Sequence, residues 1–102
     1  MKTTIITESV EFKILETTTD EQLLSKADTL NDFQKKQEGF IDVELVKHIQ
    51  ENAWCLIYHF ESMEKVKAIG EKLRNSIEFG EFVALTVPGS ISVNLYHRLR
   101  NW

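Results

Sequence analysis

Residues 40–60 read FIDVELVKHIQENAWCLIYHF, and this stretch decides the fold. It holds two runs in which apolar and polar residues alternate, a pattern typical of strands with one buried face. In the first run, over 40–49, the apolar positions are Ile41, Val43 and Leu45. In the second run, over 53–60, they are Trp54, Leu56, Tyr58 and Phe60. Because only a short polar turn at 50–52 separates the runs, they predict an antiparallel hairpin.

The same alternation recurs on both sides of this hairpin. Residues 8–15 place Val10, Phe12 and Ile14 in phase, and residues 91–99 place Ile91, Val93 and Leu95 in phase. Each segment predicts one further strand with a single apolar face.

Two amphipathic helices are predicted in the intervals between the hairpin and the outer strands. The first begins after Thr18, which has capping-box spacing with Glu21, and it ends before Gly39. The second begins after the N-cap candidate Ser62, and its apolar stripe runs from Met63 to Ile77. Gly70 within this stripe predicts close packing of the helix on the sheet. Residues 77–87 are irregular and fit either a short helix or a packed loop.

The element order is therefore strand, helix, hairpin, helix, strand. This order predicts an α+β fold, a ferredoxin-like βαββαβ two-layer sandwich, formed by a single domain over 1–102. Helices are expected to cover one face of the sheet. The opposite face is mixed and suits either water or an interface with a second subunit. Its predicted members are Glu11, Lys13, Asp42, Glu44, Val46, His48, Cys55, Ile57, His59, Asn94 and Tyr96.

Composition narrows the classes of partner and location. The net charge of -4, with acidic and basic residues interspersed, argues against a nucleic-acid partner. No apolar run reaches membrane-spanning length, and the first residues lack the apolar core of a signal peptide, so we expect no membrane partner. A single cysteine, Cys55, fits a reducing compartment, and we expect a cytoplasmic location.

Three short motifs carry a family resemblance that spans about residues 10–99. They are Val10-Glu11-Phe12-Lys13-Ile14, then Gln37-Glu38-Gly39-Phe40-Ile41, then Tyr58-His59-Phe60-Glu61-Ser62. Together with the predicted elements they resemble the antibiotic-biosynthesis-monooxygenase-like family of the dimeric α+β barrel superfamily. The resemblance implies a homodimer whose two sheets form a barrel, with a pocket between each sheet and its own helices. Family members include cofactor-free monooxygenases, haem-degrading enzymes, polyketide cyclases and proteins of unknown role.

Two departures from the family bear on function. Family members commonly have tryptophan where Phe60 stands in this sequence. The haem-degrading branch relies on an asparagine on the first strand and on a tryptophan and a histidine in the second-helix region. The first strand here offers Glu8, Ser9 and Val10, and residues 63–77 contain neither histidine nor tryptophan. Haem degradation by that route is therefore not expected.

Two groups of residues are candidates for a site. The polar candidates for catalysis are His59, Tyr96 and Asn94, because tyrosine and histidine can move a proton when their surroundings tune them. The candidates for a ligand-binding wall are Phe12, Trp54, Tyr58 and Phe60. The alternative for these aromatic residues is ordinary core packing. The histidines form no ligand motif, so we expect no metal, and mid-strand Cys55 is expected to be inert.

Two functions remain open at this point. The first is a cofactor-independent, monooxygenase-like enzyme, a homodimer without a bound cofactor, that acts on a small aromatic or polyketide-like molecule. The second is a non-catalytic ligand-binding or structural dimer. A closed pocket with polar side chains among aromatic ones would favour the enzyme. The second function would be favoured if that space were filled by the side chains of Trp54, Tyr58, Leu73 and Phe82.

Overall fold

The structure, a computed structural model, describes residues 4–102. Its elements are β1 (Ile6–Phe12), α1 (Asp20–Gln34), β2 (Phe40–Lys47), β3 (Trp54–Phe60), α2 (Met63–Arg74), α3 (Ile77–Val83) and β4 (Ser92–His97). The ferredoxin-like α+β prediction is confirmed. The stretch left open between helix and loop contains the short helix α3. Within the described residues, no helix is both long and apolar enough to cross a membrane.

The four strands form one antiparallel sheet in the order β2-β3-β1-β4. Cross-strand pairs such as Val10 with Leu56 and Val10 with Val93 fix which residues share a face. The predicted mixed face is confirmed for all its members that lie within the strands, because the pairing matches the expected register. The helices lie against the other face, which is called the covered face below.

Helix α1 begins one residue later than the sequence predicted. Thr19, not Thr18, is the N-cap, and its hydroxyl accepts a hydrogen bond of 3.1 Å from the Gln22 backbone N–H. The Gln22 side chain completes the capping box by accepting from the Thr19 N–H at 2.9 Å. Thr18 instead donates its hydroxyl hydrogen to the Leu85 carbonyl, 3.1 Å away, which ties the loop before α1 to the segment after α3.

The start of β2 contains an irregularity that the alternation did not reveal. Phe40 pairs with Phe60 and Asp42 with His59, so Ile41 is an extra residue and is exposed. Gly39 immediately before it has a φ of 95°, and a Cβ there would collide with the Lys65 side chain. Gly39 therefore shapes the entry into β2, while α1 has already ended at Gln34.

Helix α2 is shorter than its predicted stripe. It ends at Arg74, and Ile77 begins α3 with 79% of its surface exposed. The predicted role of Gly70 in helix–sheet packing is also wrong. The nearest group to a Cβ at Gly70 would be Nη1 of Arg74, 3.2 Å away, so the missing side chain leaves room for a guanidinium.

The helices do not cover the whole sheet. The core side chains of β1 and β3 are buried beneath them, and Leu23 and Leu30 of α1 are almost fully enclosed. Strand β4 lies at the edge of the sheet, and Val93 and Leu95, on its covered-face side, remain 53% and 46% exposed. The core is therefore complete beneath the central strands β1 and β3, while the edge strand β2 is at most half-buried and the edge strand β4 is exposed.

Candidate functional site

The two groups of predicted site residues lie on opposite faces of the sheet. The aromatic group, Phe12, Trp54, Tyr58 and Phe60, is buried on the covered face. The polar group, His59, Tyr96 and Asn94, lies on the other face, which is called the open face below. Successive strand residues point to opposite faces, so adjacent residues such as Tyr58 and His59 are separated by the sheet. Within one chain, the structure assembles each group but does not join the two.

On the covered face, the aromatic residues pack against one another as a core. The ring centroids of Phe12 and Phe82 are 5.3 Å apart with their planes at 75°, and those of Tyr58 and Phe60 are 5.4 Å apart. The Tyr58 hydroxyl donates a hydrogen bond of 2.9 Å to Oε1 of Gln34, and both side chains are buried. Burial raises the pKa of Tyr58 far above its ordinary value, so this hydroxyl stays protonated.

This packing shows that side chains fill the space between the sheet and its helices. Trp54, Tyr58 and Phe82 are buried there, and Leu73 packs at the margin of the cluster. That is the arrangement expected of a non-catalytic core. A ligand that used Tyr58 or Phe60 would have to displace these side chains, and their binding role stays a prediction.

Phe12 and Trp54 differ from the other two aromatic residues because they also border solvent-accessible space. They line an open groove of about 440 Å³ at the hairpin end of the sheet, together with Glu11, Cys55 and His48. The Lys47 ammonium lies 5.1 Å from the centroid of the Trp54 ring. The buried indole N–H of Trp54 has no acceptor among the described residues.

The surroundings of Cys55 in this groove disfavour its thiolate form. Burial raises the pKa of its thiol, and the neighbouring Glu11 carboxylate raises that pKa further. A hydrogen bond with the Val10 backbone opposes these two effects. Since the thiolate is the reactive form, the predicted inert character of Cys55 fits this environment.

On the open face, the polar candidates fall into two adjacent cross-strand rows. One row runs across all four strands through Tyr96, Thr7, His59 and Asp42. The neighbouring row contains Asn94, Ser9, Ile57 and Glu44. Neighbouring strands are about 4.8 Å apart, so the Tyr96 and His59 backbones lie roughly 10 Å from each other.

His59 has a carboxylate partner that sequence reasoning did not assign to it. Its Nδ1 lies 2.7 Å from Oδ1 of Asp42. When Nδ1 carries the proton and donates to Asp42, the lone pair of Nε2 is free to accept a proton. The His59 side chain is mostly buried, whereas that of Asp42 is mostly exposed. The pair has the arrangement of a general base held by an orienting carboxylate.

Comparison with known proteins supports the fold. The chain matches no protein-family model and no curated protein sequence. SnoaB from Streptomyces nogalater, a cofactor-independent oxygenase, is similar in structure with a TM-score of 0.77 and 14% identity over 96% of both chains. The chain has the antibiotic-biosynthesis-monooxygenase-like fold.

Two other structures with this monooxygenase-like fold show the same relationship. A Nitrosomonas europaea protein, provisionally described as an antibiotic biosynthesis monooxygenase, has a TM-score of 0.76 and 11% identity over 97% of this chain and 94% of its own. A Pseudomonas aeruginosa protein has a TM-score of 0.74 and 12% identity over 98% and 99%. Identity this low establishes a shared fold and leaves the chemistry to each chain's own side chains.

Proposed function

We propose that the protein is a homodimer that pairs through its open sheet faces and acts as a cofactor-independent, monooxygenase-like enzyme on a small aromatic molecule. The observation that carries this proposal is the 2.7 Å contact between His59 and Asp42, in one row with Tyr96. The shared fold with SnoaB, a cofactor-independent oxygenase, supports the class of reaction.

The composition of the open face supports pairing between two copies. Val46, Ile57 and Tyr96 give it an apolar component, and Tyr96 is 55% exposed in the single chain. The acidic residues Asp42 and Glu44 lie on the edge strand β2, where the rim of an interface tolerates charge. Pairing would enclose the His59 row and keep water from it, which strengthens every electrostatic interaction there.

In this proposal His59 removes a proton from the bound molecule through Nε2, and Asp42 holds its ring in place. Tyr96 and Asn94 supply hydrogen bonds to the oxygen atoms of the substrate. Loss of a proton makes a phenol-like compound an electron-rich anion, the form that passes electrons most readily to dioxygen. Ile57, in the neighbouring row of the same open face, provides an apolar surface for the ring.

The test is oxygen uptake by the purified protein with a panel of small phenols and hydroquinones. His59→Gln should lower kcat/KM by about 100-fold or more, the size expected for loss of a general base. Asp42→Asn should lower it less, because the imidazole remains. His97→Gln is the matched control, since His97 lies on the same sheet but on the covered-face side. Full activity of His59→Gln with an active panel compound would contradict the proposal.

The filled helix-covered space favours a second candidate, the non-catalytic structural dimer. If no panel compound supports oxygen uptake and none raises the Tm of the protein while the dimer persists, this second function is the better account. Turnover that depends on His59 would exclude it.

A further inference from the structure

Strand β4 lies at one edge of the sheet, and all six of its residues are exposed. Its pairing with β1 shows which of its backbone groups point outward. The Arg98 N–H donates to the Ile5 carbonyl at 2.9 Å, so this pair, one step beyond the end of β4, is hydrogen-bonded. Hydrogen-bonded and non-hydrogen-bonded pairs alternate along an antiparallel ladder. The N–H and C=O groups of Val93, Leu95 and His97 therefore point away from β1.

These outward backbone groups have no partner in the chain. Among residues 4–102, no backbone hydrogen bond outside the ladder with β1 involves Val93, Leu95 or His97. An edge strand with such groups is a template for another strand, and proteins usually protect it with charged side chains or a bulge. The β4 edge is therefore available to a further strand unless it carries such protection.

The opposite edge of the sheet is protected in this way, and the β4 edge is not. Strand β2 contains the bulge at Ile41 and the charged residues Asp42, Glu44 and Lys47. The pairing of β4 with β1 has no register shift, and residues 89–96 read GSISVNLY, without a charge or a proline. The two edges thus differ in their capacity to accept another strand.

We propose that the β4 edges of two copies of the chain pair antiparallel about a two-fold axis at Leu95, and so join two four-stranded sheets into one. In this register Leu95 faces Leu95 of the second copy, and Val93 faces His97 of the second copy. Every outward residue then has a hydrogen-bonding partner within β4. A shift of two residues in either direction would place one of them opposite a residue outside the strand. On the covered-face side, the two half-exposed leucine side chains cover each other.

Charge complementarity supports the same register. Glu11 on β1 is paired with Ser92, and Ser92 would face Arg98 of the second copy. Neither Glu11 nor Arg98 is in an ion pair within residues 4–102. The short serine side chain lets the guanidinium extend over it toward the carboxylate, across two strand spacings of about 4.8 Å each. By symmetry the contact forms twice, and it identifies a second copy as the strand that fits this edge.

The β4 contact is separate from the proposed pairing of the open faces. It uses backbone groups along one edge, whereas the open faces would pair through side chains. A single strand pair covers less than the roughly 1,200 Å² of a stable interface, so we expect association at protomer concentrations of about 0.1–1 mM. The contact does not depend on the proposed enzyme function.

The variant Ile57→Lys isolates the β4 contact, because a lysine there blocks pairing of the open faces. Sedimentation equilibrium of this variant from about 10 μM to about 1 mM should show the monomer giving way to a dimer. Addition of Leu95→Lys should weaken this association about tenfold or more, since it places two ammonium groups directly opposite each other. The matched control is Ile41→Lys, which is similarly exposed but lies on β2, and it should associate as the parent does.

Cross-linking tests the register. The natural cysteine is first removed by Cys55→Ser in the Ile57→Lys variant. Under a mild oxidant, Leu95→Cys should then form a disulfide between copies, because paired Cα atoms about 5.5 Å apart are within its reach. Val93→Cys should not, because the two cysteines would be offset by four residues, or about 13 Å, along the strands.

Three results would overturn the proposal. One is an Ile57→Lys variant that stays monomeric up to about 1 mM, which would leave the edge to water or to a strand of another protein. Another is a Leu95→Lys variant that associates as strongly as its parent. The third is equal cross-linking of Leu95→Cys and Val93→Cys, which would exclude the proposed register. Loss of His59-dependent turnover would affect only the proposed enzyme function.

Discussion

The two faces of the sheet are built from the same strands but have opposite characters. In β3, alternate residues Trp54, Leu56, Tyr58 and Phe60 are buried beneath the helices, whereas Cys55, Ile57 and His59 between them are only partly covered. The covered face is closed by aromatic packing within the chain. The open face carries ordered rows of polar groups and a few apolar residues, and no helix of residues 4–102 lies over it.

This contrast separates stability from chemistry. The covered face contributes most of the buried apolar surface and leaves little room for a ligand among Tyr58, Phe60 and Phe82. The open face contributes little to a single chain, yet it holds His59 against Asp42. Substitutions on the two faces should therefore affect different measurements.

The largest expected effect on stability comes from truncation on the covered face. Phe12 is 2% exposed and contacts both Trp54 and Phe82, so Phe12→Ala should lower the free energy of unfolding by about 3–5 kcal/mol. Tyr96→Ala on the open face should cost less than about 1 kcal/mol in the monomer. Urea denaturation in an Ile57→Lys background, in which pairing of the open faces is blocked, measures both in the monomer. Equal losses would break the contrast between the faces.

A smaller effect is expected from the one buried polar contact between α1 and the sheet. Tyr58→Phe removes the donor to Gln34 and leaves a buried amide oxygen unsatisfied, which should cost about 1–3 kcal/mol. The double variant Tyr58→Phe with Gln34→Leu should recover part of this loss, because neither buried polar group then lacks a partner. The same urea series checks it. A loss of unfolding free energy in the double variant that exceeds the sum of the losses in the two single variants would contradict this account.

The smallest effect is a pH dependence that originates from Glu8. Burial raises the pKa of Glu8 in the folded chain, and the positive charge of Arg74 opposes this rise. The other titratable groups near it on the covered face are Tyr58 and His97. The protonated form therefore stabilises the fold below the unfolded pKa, near 4.5, and that stabilisation is lost as the pH rises through the folded pKa. Relative to the wild type, Glu8→Gln should become progressively more stable as the pH rises. Thermal unfolding across pH 3.5–7 tests this, with Glu11→Gln as the control.

The sequence predicted the faces well, because period-two alternation directly reports which side of a sheet is buried. This alternation alone placed Phe12, Tyr58 and His59 on the correct faces of the sheet. It failed where one residue changes the phase. The bulge after Phe40 makes Ile41 an exposed extra residue, and alternation alone treats such a residue as core.

Contacts between residues that are far apart in the chain could not be predicted from the sequence. The pairing of Asp42 with His59 depends on the register between β2 and β3, which includes that bulge. The partial burial of Glu8 was not predicted, although its phase with Val10 and Phe12 was a usable signal for the covered face. The role of Gly70 was missed because a fold-back of Arg74 leaves no trace in a hydrophobic pattern.

The central claim is that the open face is an interface between two copies of the chain. Sedimentation equilibrium of the wild type and of Ile57→Lys, at micromolar protomer concentration, tests it most directly. Ile57 lies on a central strand of the open face, so a lysine there should block pairing without disturbing the covered core. The account predicts about twice the 11.9 kDa chain mass for the wild type and a folded monomer for Ile57→Lys. A wild type that sediments at 11.9 kDa, or an Ile57→Lys variant that stays dimeric, would contradict it.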